Sequence, residues 1–432
     1  MDHRREGHRR PARERSLMVN GGRAASRGPS PQRIDEQVNS VVTWIDDAGS
    51  GDGPLAGVRV GVKDNIDVAG VRSTCASRFF ADRVADADAE VVRRLRAAGA
   101  AVVATLNMAE FAVGVTSQNS AAGGPRNPWD TTRVPAGSSG GSGAAVAAGI
   151  VDLALGTDTG GSVRLPASAC GVTGLRPSRG AISNDGVFPV SPDFDTVGPM
   201  ARTVREVADA FAALAGPPLA RTVRRIGVPD VFITADVDPA VAEAVSTAVD
   251  DLAMLGYEIV PIEVPGAASA QDVVYTAIYH DAARIHRERL DSRPDLFQPA
   301  TLERISLGLG ISEADRRDAA DARRRFCDGL APLFDAVDVV LTPTMPVDVP
   351  PIDGGDDVLT QSRRMGQFTY PWSLHDGPTL AVPVGFHRVS GMPVGMQLTA
   401  PVGHEGALFG VGERYQAVTR WHTVRPEVCV PD

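Results

Sequence analysis

Residues 225–262 read RIGVPDVFITADVDPAVAEAVSTAVDDLAMLGYEIVPI. An apolar run around Ile226 precedes Asp238 and Pro239, the residue types that cap and open a helix, and Val241, Val245, Val249 and Leu252 then recur at helical spacing. Gly256 ends that pattern before a second apolar run, Tyr257 to Ile262. This is the pattern of a βαβ unit, and two strands joined through a helix lie parallel in one sheet. DADAEVVRRLRAAGAAVVAT repeats the helix-to-strand handover: Ala89, Val92 and Leu95 share a helical face, Gly99 stops the helix, and Ala101 to Thr105 read as a buried strand. From about residue 35 onward this alternation predicts an α/β architecture around a largely parallel sheet. Near the end, AVDVVLTPTMP, GPTLAVPVGF and SGMPVGMQLTA read as short strands punctuated by Gly and Pro, the last two as a hairpin.

A chain of 432 residues with 43% hydrophobic content has room for a sizeable core. Its net charge of −10 argues against nucleic acid or an anionic membrane as the main partner. No apolar run approaches the roughly 18 residues of a membrane span, and the amino terminus lacks the apolar core of a secretory signal, so a cytoplasmic protein is expected. Cys75, Cys170, Cys327 and Cys429 are scattered and the eight histidines form no close pair, so neither disulfides, a metal nor a cofactor is expected. Residues 1–33 are arginine-rich with almost no apolar periodicity and read as a disordered tail, within which Met18 is a second candidate start. Residues 34–432 are then expected to form one domain.

Among the 43 lysines and arginines there is one lysine, Lys63, in VRVGVKDNID. Arginine serves wherever a positive charge on a flexible stem is enough, but it stays protonated to about pH 12, whereas burial can bring lysine down from about 10.4 to a neutral amine. Lys63 is therefore a candidate base.

The strongest local signal lies in residues 135–171, PAGSSGGSGAAVAAGIVDLALGTDTGGSVRLPASACG, where two Gly/Ser clusters flank an Ala-rich helix and a strand. A phosphate loop would need a lysine that neither cluster contains. Gly137 to Gly141 fits GxSxG with Ser139 as nucleophile, yet no apolar strand leads into it and no oxyanion loop of the HGGG type accompanies it. A third reading joins Lys63, as a neutral general base, to serines of both clusters.

Taken together these residues resemble the amidase signature enzymes. The family's VKDN lysine, GGSSGGS loop and GTDxGGSxRxP segment are matched by Lys63, by Gly137 to Ser142 and by Gly156 to Pro166. GPLAGVRVGVKDNIDVAG, ATLNMAEF, NPWD, ACGVTGLRPS, SPDFDTVGPMART, LTPTMP and PVGMQL occur in the family's order, covering most of 53–202 and returning at 337–400. Ala136 stands in place of the first loop glycine, and Arg176 and Ser178 where the family usually has Lys and Thr.

The resemblance implies one amidase domain built on a central twisted mixed, largely parallel β-sheet with α-helices on both faces. It also implies a Ser–Ser–Lys triad: Ser162 attacks the substrate carbonyl, and Ser138, preceded by a cis peptide bond to Gly137, bridges it to Lys63. Thr159, Gly160, Gly161 and Ser162 would offer backbone N–H groups to the oxyanion, with Gly137 lining the same site. Asp158 and Arg164 are expected to be structural, and Asp64 to face away from Lys63, since consecutive strand residues point to opposite sides. The implied activity is hydrolysis of a linear amide C–N bond through an acyl-enzyme, with a small-molecule amide as partner. The alternatives are a biuret- or allophanate-type hydrolase and the amidase component of a glutamyl-tRNA or aspartyl-tRNA amidotransferase. A homodimer is one option for assembly; the family's amino-terminal region often contributes to helix packing or dimer contacts, and its shortness here leaves the oligomeric state open. Phe368, Tyr370 and Trp372 suggest an aromatic pocket, while pocket residues within 203–336 cannot be told from helix stripes.

Overall fold

The computed structural model describes residues 29–49, 51–354 and 358–429. Most of the span read as a tail, 1–28, lies outside the described residues; its last part does not, because Ser30 caps and Pro31 opens a first helix, α1 (Pro31–Val38).

Eleven strands form one sheet: β1 (Val41–Trp44), β2 (Arg59–Lys63), β3 (Ala101–Leu106), β4 (Leu153–Asp158), β5 (Thr173–Arg176), β6 (Thr196–Ala201), β7 (Arg225–Pro229), β8 (Glu258–Ile262), β9 (Val339–Pro343), β10 (Thr379–Phe386) and β11 (Pro393–Thr399). Their order is β1-β3-β2-β4-β6-β5-β10-β11-β9-β7-β8. The sheet is mixed. Parallel pairing is confined to β3-β2-β4 and to β9-β7-β8, and the strands between pair antiparallel. The expected βαβ unit is β7 and β8 with α6 (Pro239–Met254) between them, capped by Asp238. The expected hairpin is β10–β11, paired from Thr379 opposite Thr399 to Phe386 opposite Pro393 with one shift of register between Pro383 and Gly385. The parallel character is therefore limited to these two three-strand groups, and at the edge β1 pairs antiparallel with β3. In the middle β6 inserts between β4 and β5, and the hairpin follows, so direction reverses at each step.

Helices cover both faces. Leu153 and Leu155 of β4 join one core with α2 (Glu90–Ala97), with Val204 to Leu214 in α5 (Val204–Ala215) and with α6, while Ala154 turns to α3 (Gly140–Ala147) and α4 (Arg164–Cys170). That alternation is the two-residue period of a strand buried on both sides. α3 consists of glycine, alanine, serine and one valine, all buried, and a Cβ on Gly143 would press on Pro166 of α4. Small residues thus let α3 lie against its neighbours and set the loop before it. Beyond the sheet, α7 (Ala270–Ile285), α8 (Arg287–Ser292), α9 (Pro299–Leu307), α10 (Glu313–Ala336), α11 (Val358–Gly366) and α12 (Tyr370–Leu374) build the pocket side, and α13 (Glu405–Val418) returns to the first core. Among the described residues no helix is long and apolar enough to cross a membrane.

Candidate active site

β2 and β4 run parallel, so Lys63 and Thr157 come to the same end of adjacent strands. Lys63 is completely buried. Its Nζ lies 2.8 Å from Ser138 Oγ and 2.8 Å from Thr157 Oγ1. Burial pushes the amine down to about 7, against the opposing fields of Asp158 and Asp195. An ammonium in this position would have lost its hydration for two hydroxyls, which is why the neutral form is reached so early. Asp64 does turn away: its Oδ2 accepts from the Thr74 hydroxyl and from the Thr74 and Ala76 amides, and burial pushes its carboxyl up to about 6.

The loop that carries Ser138 is held by backbone contacts. The Gly137–Ser138 peptide is cis, and Ser138 O accepts from Ala109 N at 3.0 Å. A Cβ on Gly137 would meet Ser117 Oγ at 2.7 Å and Gly114 O at 2.8 Å, so no larger residue fits. Ala136, where the family has glycine, sits at φ 59, in the left-handed region. Ser139 is committed elsewhere: its hydroxyl donates to Thr157 O at 3.2 Å and accepts from Thr157 N at 3.3 Å.

Ser162 is half-buried and opens onto a cavity of about 60 Å³, together with Thr159 and Gly160. The segment 158–163 is arranged by one carboxylate. Asp158 accepts from Gly161 N at 2.8 Å and Val163 N at 3.1 Å, and its charge is balanced by Arg164 at 3.0 Å and Arg176 at 3.4 Å, all fully buried. The two guanidiniums outweigh burial and hold its carboxyl well below the usual carboxylate range. Gly161, expected among the oxyanion donors, therefore has its N–H taken by Asp158; the amides of Thr159, Gly160 and Ser162 have no acceptor among the described residues. Gly161 has φ 133 and its Cβ would overlap Thr369 Oγ1, so here glycine is required for shape. Asp158 and Arg164 are thus architectural.

The remaining cavity wall is apolar and aromatic: Val113, Val115 and Leu165, Tyr275, Ile278 and Tyr279 from α7, and Tyr370 from α12, with the buried Arg304 of α9. Of the three aromatics expected there, only Tyr370 arrives. Phe368 and Trp372 pack instead with Phe232 in the core, because successive residues of this tight segment face different sides. Thr157, Tyr275, Tyr279 and Arg304 were not singled out from sequence. Thr157 lies inside the quoted GTD segment; the others lie in the weakly marked 203–336, where nothing distinguishes a pocket residue from a core one.

This mixed α/β fold, with a glycine-rich turn and a buried lysine at one end of neighbouring strands, has close counterparts. The family described as Amidase matches residues 44–409, and the chain belongs to that family, the amidase signature enzymes. Among its relatives, a glutamyl-tRNA(Gln) amidotransferase subunit of Roseiflexus sp. (strain RS-1) is 38% identical, over 87% of this chain and 86% of the relative. The solved 6-aminohexanoate cyclic dimer hydrolase superposes with a TM-score of 0.85 at 28% identity, covering 92% of this chain and 93% of its own. A structure described as a vestigial protein complex revealing the evolutionary origins of an s-triazine catabolic enzyme gives 0.81 at 32% identity, covering 89% and 92%. Relatives that are named as subunits or were solved in a complex make a partner list of one small amide too narrow for this family.

Proposed function

We propose that this protein is an amidohydrolase that cleaves a small carboxamide through a Lys63–Ser138–Ser162 relay. The observation that carries it is the fully buried Lys63 amine, brought down to about 7 and 2.8 Å from Ser138 Oγ. Neutral Lys63 accepts the Ser138 proton as Ser138 takes that of Ser162, and Ser162 Oγ adds to the amide carbon. The oxyanion faces the N–H groups of Thr159, Gly160 and Ser162. Collapse breaks the C–N bond, the relay returns the proton to the departing nitrogen, and water resolves the acyl-enzyme by the same steps in reverse. The cavity of about 60 Å³ favours a short acyl group, and its tyrosines and aliphatic side chains suit an apolar one.

A second reading is the amidase component of a tRNA-dependent amidotransferase. It is favoured by the 38% identity to the Roseiflexus relative and by the cationic Arg304 in the cavity, which suits a carboxylate-bearing amide such as glutamine. Ammonia release by the purified chain, across aliphatic and aromatic primary amides, glutamine and biuret, separates the two. Release from a small neutral amide supports the free-standing hydrolase and release from biuret its biuret-type variant. Silence on the panel while Ser162 still takes a fluorophosphonate points to a missing partner protein.

A further inference from the structure

One buried carboxylate beside this site hydrogen-bonds to no member of the relay and acts on it only through its field on Lys63. Asp195 lies just before β6, and its Oδ1 accepts the Thr159 hydroxyl at 2.6 Å while Oδ2 accepts the amides of Val190 at 2.9 Å and Ser191 at 3.1 Å. Among the described residues it forms no ion pair, unlike Asp158. Burying a carboxylate against one hydroxyl and two amides is costly, and burial pushes this one up to about 6. Its bonds join two parts of the cavity lining, since both Thr159 and Val190 line it. Ser191 carries the connection on: its hydroxyl donates to Asp281 Oδ2 at 2.5 Å on α7, the helix that supplies Ile278 and Tyr279.

The 159–162 segment has two glycines in its centre and little rigidity of its own. Its carbonyls are held by Thr369 Oγ1 on Gly160 O at 2.6 Å and Ser139 N on Ser162 O at 3.3 Å, and two carboxylates hold its donors, Asp158 at Gly161 N and Asp195 at Thr159 Oγ1; between these ties stand the three N–H groups without an acceptor. We propose that Asp195 is a positioning residue for acyl transfer, holding Thr159 so that the backbone donors of residues 159–162 meet the oxyanion in register with the cavity wall at Val190. The proposal rests on the Ser162 nucleophile of the preceding reading.

The test uses the full chain and the rate of fluorophosphonate labelling of Ser162, with kcat and KM on any amide that releases ammonia. Asp195→Asn and Thr159→Val are each expected to slow labelling and kcat about tenfold to a hundredfold, the range of a weakened oxyanion donor, with KM within about twofold. The double variant is expected to be no slower than the slower single one, because both remove the same tie. Thr159→Ser, which keeps the hydroxyl, is expected to return to within about fivefold of the parent. Additive losses, an effect confined to KM, or parental rates in both single variants would overturn the proposal. Should Asp195→Asn fail to fold, the contrast between Thr159→Val and Thr159→Ser decides. Labelling that persists in Ser162→Ala defeats the underlying relay; a silent Ser162→Ala beside fast Asp195→Asn and Thr159→Val defeats this inference alone.

Discussion

At the scale of single residues, the proposed chemistry turns on what burial does to one amine. If neutral Lys63 is the base, kcat/KM rises with pH through about 7, and Lys63→Arg, whose guanidinium cannot lose its proton, is expected to be at least about a thousandfold slower although its charge is kept. A flat pH profile between 6 and 8 would remove the amine from the mechanism. The same shift bears on stability. The folded chain holds this amine neutral above about 7, the unfolded chain only above about 10.4, so between those values the unfolded state binds more protons and stability rises with pH. Lys63→Met is accordingly expected to be more stable than the parent at pH 7, by an advantage that shrinks toward pH 10; urea midpoints at the two pH values check it. Lys63 stands out in the sequence as its lone lysine, whereas Ser138 and Ser162 are singled out only through the resemblance to the amidase signature motifs. Thr157 was not legible, since a threonine in a β-strand is ordinary and only the 2.8 Å contact sets it apart.

At the scale of elements, periodicity revealed a few units, among them β7–α6–β8, the α2-to-β3 handover and the last hairpin, while the antiparallel middle of the sheet had no local signature. The β7–α6–β8 unit was readable because a helix between two strands forces them parallel. The placement of β6 between β4 and β5 was not, because no local pattern records which edge a strand joins. Capping was equally local: Thr203 Oγ1 accepts from Glu206 N at 3.1 Å and Glu206 Oε2 accepts from Thr203 N at 2.9 Å, closing a reciprocal box at the start of α5. Thr203→Ala is expected to cost about 1 kcal/mol in urea unfolding without altering labelling of Ser162. Ala136 poses the opposite case. Its φ of 59 favours glycine, yet its methyl group is buried with Val134 and Leu165, so Ala136→Gly relieves about 1 kcal/mol of backbone strain and loses about 0.8 kcal/mol of burial. A melting temperature within a few degrees of the parent is the expected result, and a large drop would show that the loop depends on that methyl.

At the scale of the whole molecule, the site divides into two parts of different origin. Lys63, Ser138 and the 158–163 turn come from one contiguous quarter of the chain, whereas Tyr275, Tyr279, Arg304 and Tyr370 are brought in by helices far along it. The first part was visible in motifs; the second depends on long-range packing that no window of sequence contains. Asp158 joins the two, since Arg164 also donates to Thr369 O at 2.9 Å and to Ser373 Oγ at 2.8 Å. Asp158→Asn leaves two buried guanidiniums uncompensated and is expected to cost about 3–5 kcal/mol. In the parent, this carboxylate's contribution is present above its unfolded pKa of about 3.9 and is lost as pH falls below that toward its depressed folded value; an acid titration of unfolding at constant ionic strength follows it. The fully buried Lys63 has one more consequence. A protease that cuts only after lysine has a single target in this chain, and that target lies within the sheet on β2. Surface loops can flex without being cut, so cleavage into two fragments counts openings of the sheet around β2: at low protease its rate follows the population of the open form, and at high protease the frequency of opening.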